Sequence, residues 1–101
     1  MKNTLIALAA AGLVSFGAAA QAGDATAGQA SYATCIGCHG AAAEGGVGPK
    51  LSGQATTDIV AKLQAYKAGE QVGPMTSMMA PMAAGLSDAD MANIAAYVSG
   101  L

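Results

Sequence analysis

Cys35-Ile36-Gly37-Cys38-His39, at residues 35–39, is the stretch around which the rest of this sequence is interpreted. It holds the only two cysteines and the only histidine of the 101-residue chain. Two thiols three positions apart can form a redox disulfide, supply half of a zinc site or bond covalently to a haem. A structural zinc needs four ligands, so the absence of a second cysteine pair or a second histidine disfavours zinc.

The N-terminal segment has the features of an export signal. Lys2 precedes an uncharged, mostly apolar run from Leu5 to Ala20, and Ala20-Gln21-Ala22 fits a signal peptidase site. The weaker alternative is an uncleaved anchor, because the run is shorter than the roughly 20 apolar residues that span a membrane. We expect removal of residues 1–22, and a single soluble periplasmic domain at residues 23–101 without stable membrane insertion.

In an exported protein, the motif at residues 35–39 is typical of c-type haem attachment. Two thiols at the end of a helix can each reach one vinyl group on the same porphyrin edge, and the adjacent His39 can then ligate the iron. A thioredoxin-like disulfide is the next alternative, but its usual βαβ context is not predicted here. Cys35, Cys38 and His39 are therefore the predicted attachment and ligand residues.

Composition also favours a large apolar insert. Alanine is the most common apolar residue, the chain has no tryptophan, and its one phenylalanine lies in the predicted leader. A domain this small buries a limited core and usually needs a metal, a disulfide or another insert. The full chain has a formal net charge of −2, and removing Lys2 makes it more negative. Nucleic-acid binding is disfavoured, since it requires clustered basic residues.

Three main helices are predicted in an all-α domain. The first runs from about Ala25 to Thr34, with Asp24 as its N-cap. The second follows a cap at Thr56 or Thr57, ends at Gly69 and has an apolar face of Ile59, Val60, Leu63 and Tyr66. The third follows Ser87-Asp88-Ala89-Asp90, which resembles a capping box. It ends at Gly100 and has an apolar stripe of Met91, Ile94, Ala95 and Val98.

Two irregular segments are predicted between these helices, at residues 40–53 and 71–85. The first is rich in glycine, and its Pro49 carbonyl is the candidate acceptor for the second ring nitrogen of His39. The second contains four methionines, Met75, Met78, Met79 and Met82, in no clean period. A thioether can ligate haem iron and raises its potential, so one of the four is the predicted sixth ligand.

The sequence resembles the class I cytochromes c, of the small bacterial c-553 and c4/c5-like kind, over nearly all of residues 23–101. The matching features are Gly28 and Tyr32 before the motif, the loop Gly48-Pro49-Lys50-Leu51-Ser52-Gly53-Gln54, the helix end Leu63-Gln64-Ala65-Tyr66-Lys67-Ala68-Gly69, Met78-Met79, Leu86-Ser87-Asp88 and Ala96-Tyr97.

This resemblance implies one covalent haem c wrapped by three main helices and loops. It implies Met79 as the sixth ligand, with Met78 as the main rival, and a His39–Pro49 hydrogen bond. Pro81 and Met82 lie two and three positions after Met79, so a shifted loop could bring in Met82 as the ligand instead. The resemblance further implies that the first and last helices cross near Gly28 and Tyr97.

The expected function is one-electron transfer by a monomer between redox protein donors and acceptors, and not enzymatic catalysis. Docking is expected to be mainly apolar with weak ionic steering. The leading alternative is a dedicated cytochrome subunit of a dehydrogenase or oxidase complex. A gas-binding haem protein with an open iron position is disfavoured by the many methionines.

Overall fold

The computed structural model describes residues 23–101, which form helices and loops and contain no strand. Five α-helices occur: α1 (Ala25–Tyr32), α2 (Ile36–His39), α3 (Thr56–Lys67), α4 (Thr76–Ala84) and α5 (Asp88–Ser99). A 3₁₀ turn at Ala33–Cys35 joins α1 to α2. The all-α prediction is confirmed, and the predicted first helix is divided between α1 and this turn. The leader at residues 1–22 lies outside the described residues.

The first and last helices cross at a glycine. Gly28 is buried on α1, and a Cβ added there would overlap the backbone carbonyl of Asn93 on α5. The side chain of Asn93 also accepts the backbone N–H of Asp24 at 2.8 Å. The predicted close approach at Gly28 is confirmed, with Asn93 as its direct partner. Tyr97 packs one helix turn further on, its ring centroid 5.7 Å from that of Tyr32.

Local hydrogen bonds set where the helices begin and end. Asp24 Oδ1 accepts the backbone N–H groups of Thr26 and Ala27, so its predicted role as N-cap is confirmed. At the end of α3, Gly69 adopts a φ of 82°, which a residue without a Cβ tolerates. The N–H of Gly69 bonds the Tyr66 carbonyl and that of Glu70 bonds the Ala65 carbonyl, which completes a Schellman motif.

The predicted cap of α3 at Thr56 or Thr57 is wrong. Ala55 occupies the N-cap position and makes no side-chain hydrogen bond, while Thr56 and Thr57 are already helical. The two threonines follow the N-cap position by one and two residues, so their hydroxyls are not placed to cap the helix.

The methionine-rich segment differs most from its prediction, because residues 76–84 form helix α4 instead of an irregular loop. The buried Thr76 organises its entry: Thr76 Oγ1 accepts the N–H groups of Val72 and Gly73 and donates to the Gly73 carbonyl. Pro81 lies inside the helix, where it cannot donate a backbone hydrogen bond. Because α4 is short, this loss affects one bond near its middle and does not prevent the helix.

The buried core lies where α1, α3 and α5 meet. The predicted stripe on α5 is confirmed, since its four members are all buried, and α3 contributes its own buried apolar residues. The core comprises Tyr32, Ala43, Ile59, Leu63, Met91, Ile94, Ala95 and Val98. Within residues 23–101, no helix is both long enough and apolar enough to cross a membrane.

Candidate haem site

The motif lies where α1 gives way to the 3₁₀ turn and α2. Cys35 ends the turn, and Cys38 and His39 are the last residues of α2. Cys35 is half-buried and Cys38 is exposed, and the two do not form a disulfide. Burial, the main influence, raises the pKa of the Cys35 thiol. Among residues 23–101, no three His, Cys, Asp or Glu side chains come together as a metal cluster.

The glycine-rich loop at residues 40–50 folds back over the motif. The N–H of Gly48 donates to the Cys38 carbonyl at 2.8 Å, and the N–H of Gly45 donates to the His39 carbonyl at 2.7 Å. Gly45 has a φ of 98°, a conformation that side chains other than glycine rarely adopt. The loop thus satisfies carbonyls at the end of α2 that the short helix leaves without partners.

His39 is held in one orientation. Its side chain is 4% exposed, and its Nδ1 lies 2.8 Å from the Pro49 carbonyl oxygen. A carbonyl oxygen can only accept, so Nδ1 carries the proton and donates this bond. In the neutral imidazole this tautomer places the lone pair on Nε2, which is the form that ligates a metal.

Gly48 packs against the face of the His39 ring. A Cβ added at Gly48 would lie 2.6 Å from His39 Cε1 and 2.8 Å from its Nδ1. Any larger residue at position 48 would have to displace the imidazole. The loop therefore fixes both the orientation of the ring, through Pro49, and its position, through Gly48.

Helix α4 presents its methionines as a set. Met75, at the N-cap, and Met78, Met79 and Met82 are spaced i, i+3, i+4 and i+7, so they follow one face of the helix. The expectation of no clean period was wrong, because this spacing is the helical signal itself. Met79 is half-buried and packs against the core cluster, whereas Met75, Met78 and Met82 are 37%, 53% and 46% exposed.

A single cavity of about 270 Å³ brings these groups together. Both cysteines, His39 and Pro49 line it, and all four methionines of α4 do so as well. Most of its remaining wall is apolar, with Val47, Leu51, Ile59, Leu63, Ala83, Leu86 and Ile94. Two thiols, an imidazole with a free lone pair and thioethers in an apolar cavity are a donor set that fits haem c.

Three polar residues of the cavity wall, Gln54, Lys62 and Tyr66, were not predicted as site residues from the sequence. Lys62 follows Ile59 by three positions and precedes Tyr66 by four, so the helical period of α3 carries it onto the cavity side. That spacing is present in the sequence, but a lysine between apolar residues is usually assigned to solvent.

Comparison with known proteins agrees with this site. Residues 25–101 match the cytochrome c family. The chain is 45% identical to cytochrome c-554(548) of Halomonas halodenitrificans over 80 residues, which cover 77% of this chain and 96% of that protein. It is 46% identical to cytochrome c-554(547) of Halothiobacillus neapolitanus over 90 residues, which cover 79% of this chain and 99% of that protein.

A third relative is cytochrome c-553 of Nitratidesulfovibrio vulgaris, 34% identical over 105 residues that cover the whole of both proteins. The cytochrome c domain carries covalent haem c, and proteins of this kind are electron carriers and not enzymes. The chain belongs to the class I cytochrome c family, as a small single-haem member related to cytochromes c-554 and c-553.

Proposed function

We propose that this protein is an exported, periplasmic carrier of single electrons, with haem c bonded to Cys35 and Cys38 and ligated by His39 and Met79. The observation that carries the assignment is the pairing of donors in one cavity. His39 is buried with its Nδ1 on the Pro49 carbonyl, and Met79 of α4 lines the same cavity.

Met79 is favoured over the other methionines by its burial. It packs against the core, while its neighbours on the same face of α4 are more exposed. A ligand held by core contacts keeps its position when the oxidation state changes. A thioether is neutral and soft, so it stabilises the ferrous form and raises the potential.

When bound, haem c supplies the one-electron couple of its iron. The protein's own residues hold this couple in a fixed environment: Pro49 and Gly48 orient His39, and Met79 completes the ligand pair. The apolar wall excludes water and lowers the local dielectric constant, which adjusts the potential. A saturated ligand set leaves no coordination position for a substrate, in keeping with electron transfer.

The surface beside the cavity supports apolar docking of a redox partner. Four exposed large apolar residues also line the cavity, namely Val47, Met75, Met78 and Met82. Exposed apolar residues grouped around one cavity are typical of interaction sites. Lys62 is the only lysine among the residues that line the cavity in the described part of the chain, so charge contributes little to the patch.

Export and attachment are tested together on the full-length chain, produced in a bacterium that attaches haem to exported cytochromes. We expect periplasmic protein that begins at Gly23, with the mass of residues 23–101 plus one haem. Cys35→Ala with Cys38→Ala should abolish covalent haem, while each single variant should keep one thioether bond. A colourless periplasmic protein with two titratable thiols would overturn the proposal in favour of a dithiol redox protein.

A further inference from the structure

One part of the apolar cavity wall is polar and positively charged. Gln54, Lys62 and Tyr66 line it together, and Lys62 is the one lysine among the lining residues of the described chain. Lys62 and Tyr66 are four positions apart on α3, so they are neighbours on the surface of this helix. Lys62 is exposed to solvent and also lines the otherwise mostly apolar cavity, so its ammonium group lies at the cavity rim.

Gln54 holds the lysine in place. Its Nε2 donates to the Lys50 carbonyl at 2.6 Å, which turns its Oε1 away from that carbonyl. Lys62 Nζ donates to this Oε1 at 3.0 Å. The acceptor is a neutral amide oxygen, so this bond fixes the ammonium group without neutralising its charge. Two further N–H donors of the ammonium group remain for another partner.

The proposed occupant of the cavity brings the matching charge. Haem c carries two propionate carboxylates on an otherwise apolar ring. A carboxylate at an apolar wall is costly unless a donor or a cation meets it. A lysine fixed at the cavity wall by a neutral amide supplies both.

We propose that Lys62 is the propionate-binding residue of this cytochrome, held in place by Gln54. This inference rests on the proposed function, since it requires haem in the cavity between α3 and α4. A fixed positive charge beside the haem stabilises the ferrous form, which carries one less positive charge than the ferric form. Lys62 therefore raises the midpoint potential.

The test compares holoproteins in which a lysine is replaced. Lys62→Met removes the cation, and Lys62→Arg retains it. Lys50→Met removes the same charge from a lysine that is likewise exposed but does not line the cavity. The readouts are the midpoint potential and the propionate bending band in resonance Raman spectra. We expect Lys62→Met alone to lower the potential substantially and to shift the band, while Lys62→Arg stays close to wild type.

The inference would be overturned if Lys62→Met and Lys50→Met had the same midpoint potential and neither shifted the Raman band. Removal of either lysine would then change the potential only through the protein's net charge. That result would leave the proposed function intact, because covalent haem and both axial ligands would be unaffected. Failure of the proposed function looks different: the wild-type protein itself would lack covalent haem.

Discussion

At the scale of single residues, His39, the proposed axial ligand, is held by two loop neighbours in different ways. Pro49 accepts a hydrogen bond through its carbonyl and so selects the ring nitrogen that carries the proton. Gly48 makes room for the ring by lacking a side chain. Mutation of a residue that orients a metal ligand in this way typically costs about 10–100-fold in metal affinity or activity.

Gly48→Ala tests the steric part of this arrangement. The new Cβ would lie 2.6 Å from His39 Cε1, so the ring must shift and its bond to Pro49 must lengthen. Overpacking of this type costs about 1–3 kcal/mol, and we expect a matching loss in the free energy of unfolding of the holoprotein. Gly37→Ala is the control, because a Cβ there meets nothing within 4 Å. Equal stability of the two variants would contradict the account.

Tyr32 connects the core to the same loop. It is buried, its hydroxyl donates to the Gly40 carbonyl at 2.7 Å, and its ring packs on Tyr97. Burial, ahead of the neighbouring Cys35 and Glu44, raises the pKa of Tyr32 to about 12. The hydroxyl therefore stays protonated and bonded in the folded protein at a pH where it would ionise in the unfolded chain.

Tyr32→Phe should therefore change the alkaline stability profile. In wild type, the stabilisation linked to protonated Tyr32 is complete below pH 10.0, the ordinary tyrosine pKa. It is lost as the pH rises toward the folded-state pKa of about 12. The variant has no hydroxyl to ionise and lacks the hydrogen bond to Gly40. The loss of this bond should lower the free energy of unfolding by about 1 kcal/mol at neutral pH. Denaturant unfolding at several pH values should show the gap between the two proteins closing above pH 10.0. A gap that widens there would refute the assignment.

At the scale of elements, α5 begins with a complete capping box. Asp90 N–H donates to Ser87 Oγ at 3.0 Å, and Ser87 N–H donates to Asp90 Oδ2 at 3.0 Å. The backbone hydrogen bond from Ser87, ahead of its side-chain bond, lowers the pKa of the Asp90 carboxyl. This box was predicted correctly because it depends on residues within a single turn.

Asp90→Asn isolates the charge in this box, since an amide oxygen can still accept the Ser87 N–H. We expect the variant to be less stable than wild type at pH 7. The difference is fully present above the ordinary carboxyl pKa of 3.8 and disappears as pH falls through the lower folded-state pKa. Thermal unfolding as a function of pH measures it. A difference that persists undiminished at the acid end would contradict the linkage.

Helix α4 shows where sequence reasoning failed. Pro81 and the run of methionines suggested an irregular segment, although Met75, Met78, Met79 and Met82 already had helical spacing. The decisive contact is the set of hydrogen bonds around Thr76, which joins the preceding loop to the helix. These hydrogen bonds form only when the loop is folded, so they could not be predicted from the sequence. The spacing of the methionines was the one sequence signal for this helix.

The site residues also divide into those with a signal in the sequence and those that depend on the folded chain. Cys35, Cys38 and His39 were predicted from a contiguous motif, Pro49 from the glycine-rich loop that follows it, and Met79 from the family resemblance. Gln54 and Lys62 were missed because their hydrogen bond joins a loop to a helix and has no local pattern. Whether a lysine on α3 faces solvent or a cavity is decided by how that helix packs, which residue type alone does not specify.

At the scale of the whole molecule, the low charge and the apolar cavity rim both affect how the protein meets its redox partners. The chain has four basic and six acidic residues, and the exposed apolar residues beside the cavity include Val47, 63% exposed. Encounters at such a surface gain little from long-range steering and are little affected by screening. We therefore expect electron self-exchange, measured by NMR, to change little between low and high salt.

Val47→Glu should slow self-exchange several-fold at low salt, with recovery as salt is added, because like charges would meet across the encounter. Leu101→Glu is the matched control, since Leu101 is also exposed and apolar but does not line the cavity. Equal slowing in both variants would show that electrons leave through another part of the surface.

The central claim is that His39 and Met79 are the axial ligands of one covalent haem, and the absorption spectrum of the ferric holoprotein tests it most directly. A thioether bound to ferric haem gives a weak far-red band. Met79→Ala should abolish this band, lower the midpoint potential and allow carbon monoxide to bind the reduced protein, while Met78→Ala and Met82→Ala should keep the band. A far-red band that survives in Met79→Ala and is lost in either of the other two variants would contradict the claim.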